Sequence, residues 1–365
     1  MPPLVTPCTC CEMRPQVQFS AGAVLALLAA SLAGLAAARF WRGRRRADKS
    51  QVVRLLEGAA SADCDKLAAV VLALLNSVED IAAAFRRTAE CSHVDSQNAF
   101  GDEQLNLDLL SDKIVFQHLA GTGLVATASS EETPKETPLG GCGFAVAFDP
   151  LDGSSIVESN FTVGTIAGVW AGSRLVGVKA RDLKAALIAL YGPRTTVSLA
   201  IDGVPNSHEF TLVPSASGGL LWEHSRVFEA IGEGKLYSPG NLRGTQDNHG
   251  YAKLVQHWLT NKYTLRYTGG MVPDCNSILI KGQGIFTNPS SPDAPAKLRL
   301  LYEVGPIAYL LEKAGGASSD GRQSILDIVC THTEQRTQVA VGSKGEVQRF
   351  DDVVGYAEPM ARQEK

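Results

Sequence analysis

Asp149 and Asp152 stand three residues apart in the run Phe148-Asp149-Pro150-Leu151-Asp152-Gly153-Ser154-Ser155. Hard divalent cations such as Mg²⁺ take oxygen ligands, usually one or two carboxylates together with substrate phosphate. A Gly-Ser-Ser turn can offer backbone N–H donors to a phosphate, the more so where a helix begins. One octapeptide therefore carries both halves of a metal-assisted phosphate site. Asp-Pro and Asp-Gly pairs are also ordinary turn punctuation, and the run by itself reads equally well as a loop.

Five other acidic residues bear on that choice. Glu131-Glu132 closes an expected strand just before Pro134, where a strand-to-loop transition lets both side chains turn toward one cleft. Asp102 precedes a helix start, and Asp108 lies inside that helix about one and a half turns on. Glu303 ends the run Lys297-Leu-Arg299-Leu-Leu-Tyr302-Glu303; read as a helix, it puts Lys297 and Glu303 about 9 Å apart along the axis. Singly, each is an ordinary solvated charge. Seven carboxylates beside a phosphate-holding turn suit several metal ions in one site.

The elements that must position these residues follow from periodicity. Leu67, Val70, Val71, Leu74, Leu75, Val78, Ile81 and Phe85 recur at helical spacing behind possible caps at Ser61 and Asp63. A second helical pattern carries Leu105, Leu109, Leu110, Ile114 and Leu119 up to Gly121. Strands are expected at 123–130, 144–148, 162–170, 185–191 and 195–201, the last two about a Gly192-Pro193 turn. Beyond residue 225 the expectation is a helix at 246–260, a strand at 277–286, a helix at 297–314 and a strand at 337–342. Domain limits are placed at 1–48, 49–227 and 228–360.

With 365 residues, 45% of them hydrophobic and 20% charged, the chain can bury one large core or two medium ones. A formal charge of −4 lacks the basic footprint of a nonspecific nucleic-acid binder. The cysteines are scattered apart from Cys8, Cys10 and Cys11, which suits a reducing compartment for the folded part. Residues 21–38 form an apolar, Ala-rich run followed by Arg39 to Arg46 with five arginines. Three readings stay open for it: a signal or bipartite transit presequence, an uncleaved membrane anchor, or a core helix.

Taken together, Glu131-Glu132 and Asp149-Pro-Leu-Asp-Gly-Ser-Ser155 resemble the fructose-1,6-bisphosphatase family of metal-dependent sugar bisphosphatases. So do Phe100-Gly-Asp-Glu-Gln104, Ser238-Pro-Gly-Asn-Leu-Arg243, the stretch from Tyr263 to Asp274, Lys297 to Glu303 and Arg336 to Ala340, over about residues 60–355. The resemblance implies an α/β (α+β layered) fold, a sandwich of sheets and helices in two domains. It implies Mg²⁺-dependent removal of the C1 phosphate of a sugar bisphosphate, sedoheptulose 1,7-bisphosphate or alternatively fructose 1,6-bisphosphate. Two to three Mg²⁺ ions would be held by Glu131, Asp149, Asp152, Glu303, the Leu151 carbonyl and Asp102. Glu132 and Asp108 would orient and deprotonate the attacking water. The amides of Gly153, Ser154 and Ser155 would hold the C1 phosphate, and Lys297 and Arg299 the sugar and its phosphate. Asn241, Arg243, Arg266 and Tyr267 would grip the distal phosphate in a homodimer or homotetramer.

Three positions depart from the family pattern. Ser96 stands where redox-regulated members pair a cysteine with the one at Cys91; Gly143 and Phe144 replace an AMP-binding Lys-Tyr pair; and Gly282 replaces an aromatic residue, which suggests a more open sugar pocket. The expected location is the plastid stroma, with a cytoplasmic or membrane-anchored enzyme as the alternative. A membrane-anchored, catalytically silent sugar-phosphate sensor is a more distant reading, disfavoured by the full set of acidic positions.

Overall fold

Residues 144–148 read Phe-Ala-Val-Ala-Phe and every one of them is buried, so this strand is covered on both faces. The computed structural model describes residues 46–58, 64–87, 93–97 and 103–356. Asp102, Cys91, Ser61, Asp63 and the apolar run 21–38 fall outside the described residues. The chain divides into units 1–46 and 47–365, and every element below belongs to the second.

An eight-stranded sheet is formed by β3 (Val125–Ser130), β4 (Thr137–Pro138), β5 (Phe144–Asp152), β6 (Val163–Ala171), β7 (Leu183–Tyr191), β8 (Thr195–Ile201), β9 (Ser207–Pro214) and β10 (Leu220–Phe228). Its order is β10-β9-β8-β7-β6-β5-β3-β4, antiparallel except where β3 runs parallel to β5. A five-stranded sheet contains β11 (Gly232–Pro239), β12 (Thr264–Leu265), β13 (Gln283–Asn288), β14 (Ala317–Ser319) and β15 (Val339–Gly342), in the order β12-β11-β13-β15-β14. The short strands β1 (His93–Gln97) and β2 (Glu103–Leu105) pair antiparallel.

Helices fill the spaces between and outside these sheets. On one face of the large sheet lie α1 (Ser50–Glu57), α2 (Cys64–Phe85) and α3 (Asn106–Ala120), packed on Val146, Phe148, Val169, Leu187 and Leu199. On its other face, Ala145, Ala147, Ile166, Ala186 and Ile188 share a core with Phe286, Val339 and Val341 of the small sheet. That core also holds residues of α5 (Met271–Lys281) and α6 (Gly305–Lys313), while α4 (His249–Thr260) and α7 (Lys344–Val353) cover the far side of the small sheet around Trp258 and Phe350. The period-two alternation of each strand thus feeds two different cores. The result is a five-layer α/β/α/β/α stack. Helix α2 is long and apolar enough to cross a membrane, but its side chains are spent inside this core.

Buried polar groups fasten the start of this unit. Asp48 N–H donates to the Leu220 carbonyl at 2.8 Å and the Trp222 N–H to that of Asp48 at 2.9 Å. Glu79 on α2, 5% exposed, accepts from Trp222 Nε1 at 3.0 Å and Ala47 N at 3.3 Å, and pairs with the Lys49 ammonium. Glu79→Ala removes the carboxylate that pairs with the part-buried Lys49 ammonium and accepts from the buried Trp222 indole N–H, and an expected loss of about 3–5 kcal/mol follows. A urea midpoint shifted to lower concentration, with turnover of the remaining folded protein unchanged, is the measurement.

Several expectations are corrected. The segment 277–286 is not one strand: α5 runs through Lys281 and β13 starts at Gln283, because Gly282 takes a left-handed φ of +61° and ends the helix. The helix expected over 297–314 begins only at Leu300. Before it the chain is extended, with Arg299 bridged to Arg336 and Leu300 N–H donating to the Gln335 carbonyl at 2.7 Å. The Asp149-Asp152 run is strand, not turn, carrying a register shift between the two aspartates. Strand β9 carries buried Ser207, His208 and Glu209, and most of β10 is exposed, so apolar alternation misses both.

Candidate active site

The parallel pair β3 and β5 ends side by side, Ser130 opposite Phe148, and Glu131 N–H continues the ladder to the Phe148 carbonyl at 3.2 Å. Glu131 and Asp149 are therefore neighbours just past the last pair of the parallel β3/β5 ladder, on the carboxyl side where open α/β sheets place ligands. A third carboxylate comes from far along the chain. Residues 300–304 form a single π-turn, with Val304 N–H reaching back five residues to the Arg299 carbonyl at 3.1 Å. That turn aims Glu303 inward. Carboxylate oxygens of Glu131, Asp149 and Glu303 all lie within 4.8 Å of one another.

Burial and mutual repulsion make this cluster a poor place for protons to leave. The Asp149 carboxyl is pushed well above the usual range, by burial first and then by Glu131, Asp152 and Glu303. Burial likewise carries Glu303 to about 7 and Asp152 to about 7, against the pull of their hydrogen-bond donors. Such a donor set, all hard oxygen and with more carboxylates than the one guanidinium against it offsets, fits a hard divalent cation. The geometry brings together Glu131, Asp149 and Glu303, three of the positions expected to hold metal. Leu151 is buried between the two aspartates of β5.

Asp152 is turned differently from its neighbours. Its Oδ1 accepts from Met271 N at 3.0 Å and its Oδ2 from Val272 N at 2.7 Å, so it caps the positive end of α5. Gly164, opposite Asp152 in the ladder, makes this approach possible, since a Cβ there would sit 2.5 Å from Val272 Cγ1. Gly153 follows in a left-handed conformation, φ +86°, and opens a three-residue 3₁₀ turn carrying the half-buried Ser154 and the exposed Ser155. Asp108 is 2% exposed on α3.

The distal residues divide. Arg243 and Lys297 line one groove of about 380 Å³ together with Gln246, Asp293, Ala294 and Pro295. Tyr267 is exposed at 46%; its phenol is raised first by the part of the ring that is covered and then by Asp274 and Asp152, with Arg243 pulling it down. Arg266 is exposed and donates to the Leu265 carbonyl. Asn241 spends its side-chain amide on the Pro289 and Ala294 carbonyls, both at 2.8 Å, and so shapes the groove's wall.

Arg299 is a correction. Instead of reaching toward the sugar it is 5% exposed, with Nη1 at 2.5 Å from Glu131 Oε1 and 3.9 Å from Glu303 Oε2. Its charge is drawn to where the carboxylates crowd. Arg336, which the sequence reading placed in no role, also lowers the Glu303 carboxyl. Gly282 is a second correction: it caps the far end of an eleven-residue helix whose first amides meet Asp152, about 16 Å away along the axis. An open sugar pocket therefore does not follow from it.

Comparison with known proteins places these residues among relatives. The sequence family described as fructose-1-6-bisphosphatase, N-terminal domain, matches residues 53–222, and its C-terminal domain matches residues 231–355. The chain is 54% identical over 271 residues to the chloroplastic sedoheptulose-1,7-bisphosphatase of Triticum aestivum, covering 73% of this chain and 68% of that one. It is 40% identical over 288 residues to the class 1 fructose-1,6-bisphosphatase of Syntrophotalea carbinolica, covering 76% and 84%. A crystal structure from Toxoplasma gondii, described as a candidate sedoheptulose-1,7 bisphosphatase, superposes with a TM-score of 0.75 at 35% identity, over 83% of this chain and 97% of that one.

Proposed function

This chain belongs to the fructose-1,6-bisphosphatase family and is a phosphoric monoester hydrolase, and we propose that it removes the C1 phosphate from sedoheptulose 1,7-bisphosphate in a plastid. The observation that carries the reading is the convergence of Glu131, Asp149 and Glu303 within 4.8 Å beside the Gly153 turn. The choice of sugar is supported by the 54% identity to a chloroplastic sedoheptulose-1,7-bisphosphatase against 40% to a fructose-1,6-bisphosphatase.

Bound there, two or three Mg²⁺ ions, with Asp152, the Leu151 carbonyl and Asp102 as further oxygen donors, would supply charge to the phosphoryl oxygens and acidify the attacking water. The chain's own residues do the rest. Gly153, Ser154 and Ser155 hold the transferred phosphate through their amides, at the positive end of α5 that Asp152 caps. Glu132 accepts the proton of the attacking water and Asp108, buried on α3, orients it. Arg243, Arg266, Tyr267 and Lys297 bind the distal phosphate, and that remote binding fixes the sugar for in-line attack. Arg299 holds Glu131 in place and partly offsets the charge of the carboxylates. A homodimer or homotetramer that lends an arginine to this groove completes the reading.

The test is phosphate release from the two bisphosphates under Mg²⁺ titration. Higher kcat/KM on sedoheptulose 1,7-bisphosphate is the expected result; a tenfold advantage for fructose 1,6-bisphosphate would reassign the substrate within the family. Mass spectrometry of the N-terminus in plastid extracts addresses location, with a start beyond about residue 38 expected.

A further inference from the structure

Glu131 and Glu132 are the two central residues of a four-residue turn whose ends are Ser130 and Thr133, closed by Ser130 N–H donating to the Thr133 carbonyl at 3.0 Å. One carboxylate grips both ends. Asp112 Oδ1 accepts from Ser130 Oγ at 2.5 Å, and its Oδ2 accepts from Thr133 Oγ1 at 3.1 Å. Thr133 N–H in turn donates to Ser130 Oγ at 2.8 Å, which closes the ring. Asp112 is itself on α3, one turn beyond Asp108 and on the same side of the helix. The turn's outer end is fastened separately: the Tyr302 hydroxyl meets Ser129 Oγ at 2.8 Å and the Pro134 carbonyl at 3.3 Å.

We propose that Asp112 is a positioning residue for the hydrolytic reaction: by clamping both ends of the Ser130–Thr133 turn to the helix that carries Asp108, it sets Glu131 for the metal and Glu132 against Asp108 for the water. The inference rests on the roles given above to Glu131, Glu132 and Asp108. In a hydrogen-bonded β-turn the fourth residue's N–H donates to the first residue's carbonyl; here Thr133 N–H goes to Ser130 Oγ instead, so the two central residues depend on the reverse backbone bond and on the two bonds to a rigid helix. Keeping this carboxylate half-buried has a cost, since burial and the nearby Glu132 push Asp112 up to about 6 while the two hydroxyl donors pull it down.

Conservative and disruptive variants separate the clamp from simple packing. Asp112→Asn keeps an acceptor for Ser130 and can donate to Thr133 Oγ1, whereas Asp112→Ala removes both bonds. In the full chain, Asp112→Ala is expected to lower kcat about 10–100-fold and to weaken Mg²⁺ binding, read by calorimetry without substrate, about tenfold, as for other residues that orient metal ligands. KM for the bisphosphate stays within about threefold, and Asp112→Asn recovers most of both losses. A folded Asp112→Ala protein with kcat and Mg²⁺ affinity within twofold of the parent would overturn the proposal, as would an Asn variant no better than Ala. Should Asp112→Ala not fold, Ser130→Ala removes one leg of the clamp and carries the same expectations at smaller size; no change in either readout overturns the proposal. Glu132→Gln is measured alongside: full turnover in that variant rejects the base assignment, while the Mg²⁺ readout still tests the hold on Glu131.

Discussion

Glu132→Gln is expected to lower kcat by about 10²–10⁴-fold while leaving KM for the bisphosphate within about threefold, the span that one positioned general base contributes. Glutamine keeps the shape of the side chain and its place in the Ser130–Thr133 turn, which is closed by backbone and side-chain bonds from its ends rather than by residue 132. What it loses is the ability to take a proton. The proton leaves the water only as the transition state forms, so ground-state binding is spared and the deficit falls on kcat. Substrate binding measured by calorimetry should remain close to that of the parent. A variant with undiminished kcat would move the base to another group, and Asp108, 2% exposed on α3, is the first candidate.

Asp149→Asn is expected to abolish measurable phosphate release and, at the same time, to raise the melting temperature of the metal-free protein at pH 8. The two effects share one cause. Asp149 is 4% exposed and its proton is held tightly because burial, Glu131, Asp152 and Glu303 all oppose its charge. Asp152 and Glu303, lifted from 3.8 and 4.5 to about 7, share that environment. A carboxyl whose folded value lies above its unfolded one stabilises the fold fully below the unfolded value and loses that contribution as pH rises through the folded one. Without metal, the parent should therefore melt at progressively lower temperature between pH 5 and pH 8, and the neutral Asn should flatten that slope. Mg²⁺ should reverse the trend in the parent, since it binds only deprotonated ligands, and should stabilise more at pH 8 than at pH 5.5. At 100 times its dissociation constant the gain is about 2.7 kcal/mol. Calorimetric melts at both pH values, with and without Mg²⁺, measure all of this; a metal-free parent more stable at pH 8 than at pH 5.5 would contradict it.

Most of the layered fold was legible in periodicity. The helix at 64–85, the hairpin of β7 and β8 and strands β3, β5 and β6 follow from apolar spacing, because each buries a regular face or two. Reading failed where polar residues go inside, as in β9 with buried His208 and Glu209. It failed again where a backbone bond outvotes propensity, as at Arg299, held extended by Arg336 ahead of the π-turn. The carboxylate cluster was legible in part: the acidic positions were marked by type, spacing and family likeness, and Asp149, Glu131 and Glu303 do meet.

Sequence by itself determined which side chains are available, the carboxylates at 131, 149 and 303, the glycine turn at 153 and the basic residues near the groove, since these depend on residue type and local spacing alone. Only the tertiary structure decided how they are used. Asp152 caps α5 because Gly164 lets that helix close in, Arg299 faces the carboxylates rather than the sugar, and Asp112 grips the Glu131-Glu132 turn. Each of those contacts joins residues 18 to 168 positions apart, or needs a close approach between elements, and no local pattern encodes a distance of that kind.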